Sequence, residues 1–173
     1  MLNSNRQISE VLFMKRGSTL FLKMAVILIG IPVIALCIFF VPKIANFAAD
    51  LYPDISYLKY LVYIDLYAAA IPFYFALYQA FKLLSYIDHN KAFSKLSVRA
   101  LKNIKYCAIT ISILLAAGMP LFYLIAEMDD APGIILIGLV LIFASMVIAV
   151  FAAVLQRLLQ EAIDIKSEND LTV

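Results

Sequence analysis

Four long apolar runs dominate the chain: residues 20–41, 60–81, 106–126 and 134–155. A helix needs about 20 mostly apolar residues to cross roughly 30 Å of hydrocarbon, and each run meets that length. Inside hydrocarbon every backbone N–H and C=O has to be satisfied by the chain itself, so each run is predicted to be helical. Buried soluble helices would be apolar too, but they need polar sequence to wrap them. With 65% hydrophobic residues and a mean hydropathy of +0.96, the 173 residues supply too little. The expected fold is therefore all-α, an integral membrane antiparallel four-helix bundle.

Lys15 and Arg16 ahead of the first run resemble the start of a secretory signal peptide. The run is longer than the roughly 7–15 residue core of such a peptide and no small-x-small cleavage site follows it, so it is expected to be retained.

Charge predicts orientation, because short loops rich in Lys and Arg stay in the cytoplasm. Arg6, Lys15, Arg16 and Lys23 precede or open the first span. Lys82, Lys91, Lys95, Arg99, Lys102 and Lys105 lie between the second and third, and Arg157 and Lys166 follow the fourth. Only Lys43 and Lys59 fall on the other side. The expected organisation is a cytoplasmic N-terminal segment over 1–19, a four-span transmembrane domain over 20–155 and a cytoplasmic amphipathic tail over 156–173.

The usual signatures of catalysis do not occur. Cys37 and Cys107 belong to opposite leaflets and form no CxxC pair, which argues against thiol–disulfide exchange. His89 is the sole histidine, in a polar loop and outside any HExxH motif. The acidic turn EMDDAPG, residues 127–133, lacks EF-hand spacing. No enzyme activity, metal or cofactor is expected, and no direct nucleic acid binding.

Packing signals are clearer. Helices in lipid associate through small residues that let backbones approach. Ala68, Pro72, Ala76 and Ala80 recur at four-residue steps in the second span, Ala108, Ser112, Ala116 and Pro120 in the third, and Ser145, Ala149 and Ala153 in the fourth. Pro32, Pro72 and Pro120 are predicted kinks, since proline removes a backbone hydrogen bond. Gly30-Ile-Pro32 and Gly118-Met-Pro120 repeat one punctuation in the first and third spans.

Asp65 is the one acid within the second run, about 8 Å below its outer end at about 1.5 Å per residue. A carboxylate at mid-membrane costs on the order of 2.5–3.5 kcal/mol or more, so it is expected to face the bundle and find a partner. One reading makes it an ion-coupling acid in a small transporter or channel subunit. The other makes it a shallow structural acid, hydrogen-bonded to tyrosine hydroxyls or near Lys59 or Lys43. The structural reading is preferred, because no second polar residue stands beside it in the sequence.

The cytoplasmic side carries more pattern. Ser94 is placed to cap a helix running straight into the third span, with Lys95, Arg99 and Lys102 as a basic stripe. Such a stripe suits anionic lipid headgroups or an acidic protein partner. Beyond the fourth span, Leu155, Leu158, Leu159, Ala162 and Ile163 give the tail an apolar side. That side suits packing on the basic helix, on another copy in a homo-oligomer, or on a soluble partner.

The segments YIDHNKAFSKLSVRALKNIKY and LQRLLQEAIDIKSENDLTV, within this four-span layout from about Met14 onward, resemble the small bacterial membrane proteins of the domain of unknown function 2975 family. Ala92-Phe93-Ser94 stands where the family pattern has Pro-Phe-Ser, which makes the turn less rigid. The resemblance implies no activity. It implies a bacterial cell membrane location and, by genetic association, a small helix-turn-helix transcription regulator as partner of the cytoplasmic face.

Single-cysteine labelling tests the charge argument. In a variant lacking Cys37 and Cys107, a membrane-impermeant thiol reagent applied outside the cell is expected to modify a cysteine at position 129 and to leave positions 5 and 90 untouched. Labelling at position 90 from outside contradicts the orientation.

Overall fold

The computed structural model describes residues 2–55, 57–128 and 130–171. Met1, Asp129 and Val173, which mark the expected topology, lie outside the described residues. Four helices follow one another: α1 (Leu2–Leu51), α2 (Leu58–Asp88), α3 (Lys95–Met128) and α4 (Gly133–Leu171). All four are long and apolar enough to cross a membrane, and each contains one of the four apolar runs. They run unbroken through Pro32, Pro42, Pro72 and Pro120. The helices are longer than a span requires: α1, at 50 residues, extends about 75 Å at 1.5 Å per residue. Residues 2–19 are thus helical and continuous with the first apolar run.

Two tight turns share one device. Asn90 and Asp130 adopt positive φ, 58° and 51°. Beyond each, an N–H reaches back to the last turn of the preceding helix: Lys91 N to Tyr86 O at 2.8 Å, and Ala131 N to Ala126 O at 3.0 Å. This is the left-handed helix ending, in which short polar side chains tolerate a backbone that others avoid. As the sequence predicts, Ser94 caps α3, its Oγ accepting from the Ser97 N–H at 3.4 Å. The fully buried Ser97 hydroxyl donates to the Lys91 carbonyl at 3.1 Å and closes the turn.

The helices pack antiparallel in chain order. Among the described residues α4 touches α3 alone, while α1 lies along α2 and meets α3 only briefly. The bundle is therefore open, and the start of α1 and the end of α4 lie on one side. At the opposite side, Ala45 and Ala48 of α1, Leu58 and Val62 of α2 and Ile125 of α3 form a buried cluster. Large apolar side chains such as Phe39, Ile71, Phe143 and Phe151 point outward, as they must where the solvent is lipid.

Polar contacts register α1 on α2. Tyr67 and Tyr74, seven residues apart, donate to the Cys37 and Gly30 carbonyls, also seven apart, each at 3.1 Å. Nearer the termini Lys23 forms an ion pair with Asp88 and stands 5.6 Å from the centroid of the Phe81 ring. Lys23, within the first apolar run, is accordingly a helix-to-helix tether.

Candidate functional site

The structure places Asp65 at the contact between α2 and α3, one helical face away from the tyrosines that grip α1. Its Oδ2 is buried and makes no hydrogen bond. The expected bond from a tyrosine hydroxyl to this oxygen is not made, and Tyr67 and Tyr74 donate to backbone carbonyls of α1 instead. Among the described residues neither Lys43 nor Lys59 forms an ion pair with it. What receives the carboxylate is an absence of side chain. A Cβ built on Gly118 would lie 2.1 Å from Asp65 Oδ2 and 2.6 Å from its Cγ. Gly118, which the sequence marks only as punctuation before Pro120, is the residue that lets this acid sit between two helices. A buried polar oxygen without a partner is costly, so the seat is an expensive feature of the α2–α3 contact.

The other sequence-derived site divides into two. Lys95, Arg99 and Lys102 are exposed along the first turns of α3, as is Leu158 on α4, 56% accessible. Leu159 and Ile163 are half-buried, and since α4 meets α3 alone they turn toward it. Past Ile163 every described residue of α4 is exposed, Ile165 and Leu171 included. The tail is laced by its own side chains: Arg157 bonds Glu161 at 3.0 Å and Gln160 bonds Asp164 at 3.1 Å.

Of the small-residue stripes, Ala108 and Ser112 on α3 and Ala149 on α4 are buried, while Ala116 is exposed. The buried line on α3 runs instead through Gly118 to Ile125 and Ala126. Ala116 lines an open groove of about 530 Å³ between α3 and α4, with Met119, Pro120, Tyr123 and Ile135. No group of three His, Cys, Asp or Glu side chains close enough to hold a metal ion occurs among the described residues.

The model of the family described as protein of unknown function (DUF2975) matches residues 43–173. The chain belongs to this family. A protein of Bacillus subtilis (strain 168) described as "Uncharacterized membrane protein YoaS" is 79% identical over 160 residues, covering 92% of this chain and 100% of the relative. No solved structure matches. The DUF2975 match takes in Asp65, Gly118, the basic stripe of α3 and all of α4, and leaves most of α1 outside. The tyrosine and Asp88 ends of the α1 tethers thus lie within the matched region and Lys23 beyond it.

The seat for Asp65 makes a steric prediction. Gly118→Ala is expected to destabilise the protein in detergent by about 1–3 kcal/mol, the usual cost of forcing extra atoms into a packed contact. In an Asp65→Ala background the same change should cost less than half as much, whereas the isosteric Asp65→Asn should give no such relief. Equal costs of Gly118→Ala in all three backgrounds, measured by thermal unfolding, contradict the close approach.

Proposed function

We propose that the protein is a non-enzymatic multi-pass protein of the bacterial plasma membrane, with both termini cytoplasmic, that works by presenting its helix ends to a soluble partner. The first turns of α3 and the last turns of α4 form the presented surface, and a small helix-turn-helix regulator is the class of partner that the family resemblance implies. The observation that carries this reading is the length and exposure of α4. Its 39 residues make about 58 Å of helix, roughly twice the hydrocarbon thickness. The excess carries Leu158 and Ile165, seven residues apart and both exposed, among charged neighbours. Anchoring in lipid does not require such an extension, and an apolar row on a polar helix is the usual ligand of a groove on a partner.

A second reading rests on the unpartnered Asp65 oxygen, which suits a cation or proton site in a small transporter or channel subunit. Liposome flux separates the two. Proton or cation movement by the purified protein that Asp65→Asn abolishes at unchanged expression favours transport.

For the leading reading, the test is capture of the regulator by the intact protein from detergent extract. Deleting residues 163–173 is expected to spare membrane insertion and weaken capture at least several-fold. Reversing the charges of Lys95, Arg99 and Lys102 should weaken it too, more visibly at low salt, because exposed charges are screened beyond about 10 Å at 0.1 M. No capture by the intact chain, or equal capture after the deletion, contradicts the proposal.

A further inference from the structure

A second groove between α3 and α4, of about 340 Å³, lies nearer the termini. Ser112 and Ala149, both buried, form its floor. Ile109 and Ile113 wall it from α3, Met146 and Val150 from α4, and Lys105 stands at the end toward the termini. Lys105 to Ile113 spans about 12 Å of helix at 1.5 Å per residue, which is most of one leaflet's half of a roughly 30 Å hydrocarbon layer. The groove is thus an apolar trough with a single cation at its mouth.

That cation is uncommitted. Lys105 has no carboxylate partner among the described residues, and its Nζ rests 5.0 Å from the centroid of the Tyr106 ring. At about 3.6 residues per turn, Lys102 falls on the same side of α3 one turn nearer the termini, level with the mouth. By the same spacing Arg157 falls on the side of α4 that carries Val150 and Ala153. Arg157 is bonded to Glu161 at 3.0 Å, but both side chains are exposed, and such pairs contribute little and exchange readily. Lys105 thus stands where the apolar lining ends, and helical spacing puts Lys102 and Arg157 about a turn beyond it, the distribution of a ligand with a chain at one end and a negative charge at the other.

We infer that this groove binds an anionic glycerophospholipid from the leaflet on the side of the termini. One acyl chain lies in the trough between Ile113 and Met146, and the phosphate meets Lys105, flanked by Lys102 and Arg157. A zwitterionic lipid offers the same chain, but its headgroup cation cancels the attraction, so headgroup charge sets the preference. Lipid binding here needs no soluble partner, although Lys102 also belongs to the surface presented to one.

The test is native mass spectrometry of the full chain released from detergent holding equal amounts of phosphatidylglycerol and phosphatidylcholine with identical acyl chains. Retention of phosphatidylglycerol is expected to exceed that of phosphatidylcholine about five-fold or more, as one well-placed surface cation provides. The double variant Lys102→Gln, Lys105→Gln leaves the buried helix contacts intact and should bring the ratio below about two-fold. Ala153→Leu, which fills the trough, should lower retention of both lipids. Lys82→Gln, removing a cation at the same membrane side on α2, should leave the ratio unchanged. Equal retention by the wild-type chain, an unchanged ratio in the double variant, or a loss with Lys82→Gln as large as with the pair overturns the assignment.

Discussion

Hydrocarbon offers a peptide group no partner, and the rest of the architecture depends on that constraint. It makes each apolar run a helix, because only a helix satisfies its own backbone. It also removes the hydrophobic drive that would press soluble helices together, since lipid tails are as apolar as leucine. The helices must be held by close approach and by polar contacts, and the structure uses both. Tyr67 and Tyr74 hang on carbonyls of α1, Lys23 closes on Asp88, and Gly118 makes room for Asp65 between α2 and α3. Chain-order packing follows: α1 is held by α2, α4 by α3, and the two outer helices do not meet among the described residues.

Much of this was legible in the sequence, because length and hydropathy set spans directly and local chemistry sets turns. The four runs, the Ser94 cap and the continuity of the loop helix into the third span are all found as predicted. What could not be read was lateral. Tyr67 and Tyr74 carry a period-seven signal, but nothing local says that their hydroxyls point at another helix's carbonyls and not at Asp65. Gly118 was visible as a glycine beside Pro120, while its purpose depends on a residue 53 positions away. The tail's apolar side splits on folding, with Leu159 and Ile163 turned to α3 and Leu158 outward, because a helix of this kind serves its neighbour and its surroundings at once.

The same openness links structure to function. A closed bundle would hide the α3–α4 seam; here one side of α3 carries Lys95 and Lys102 beyond an apolar groove, and α4 continues past its apolar run as a polar helix with apolar points. Both features gather on the side where the chain begins and ends. Asp65 lies toward the opposite end, walled by Gly118, so the acid and the helix ends are separable by mutation.

The order of the helices is the claim on which these arguments rest, and proximity of α1 to α2 but not to α4 tests it most directly. A Cβ on Gly30 would lie 3.4 Å from Leu77 Cδ1. In a chain lacking Cys37 and Cys107, the pair Gly30→Cys with Leu77→Cys is expected to be bridged within one chain by a short thiol cross-linker in native membranes. Gly30→Cys with Val150→Cys is expected not to be. Efficient bridging of positions 30 and 150 within a single chain would close the bundle and contradict the account.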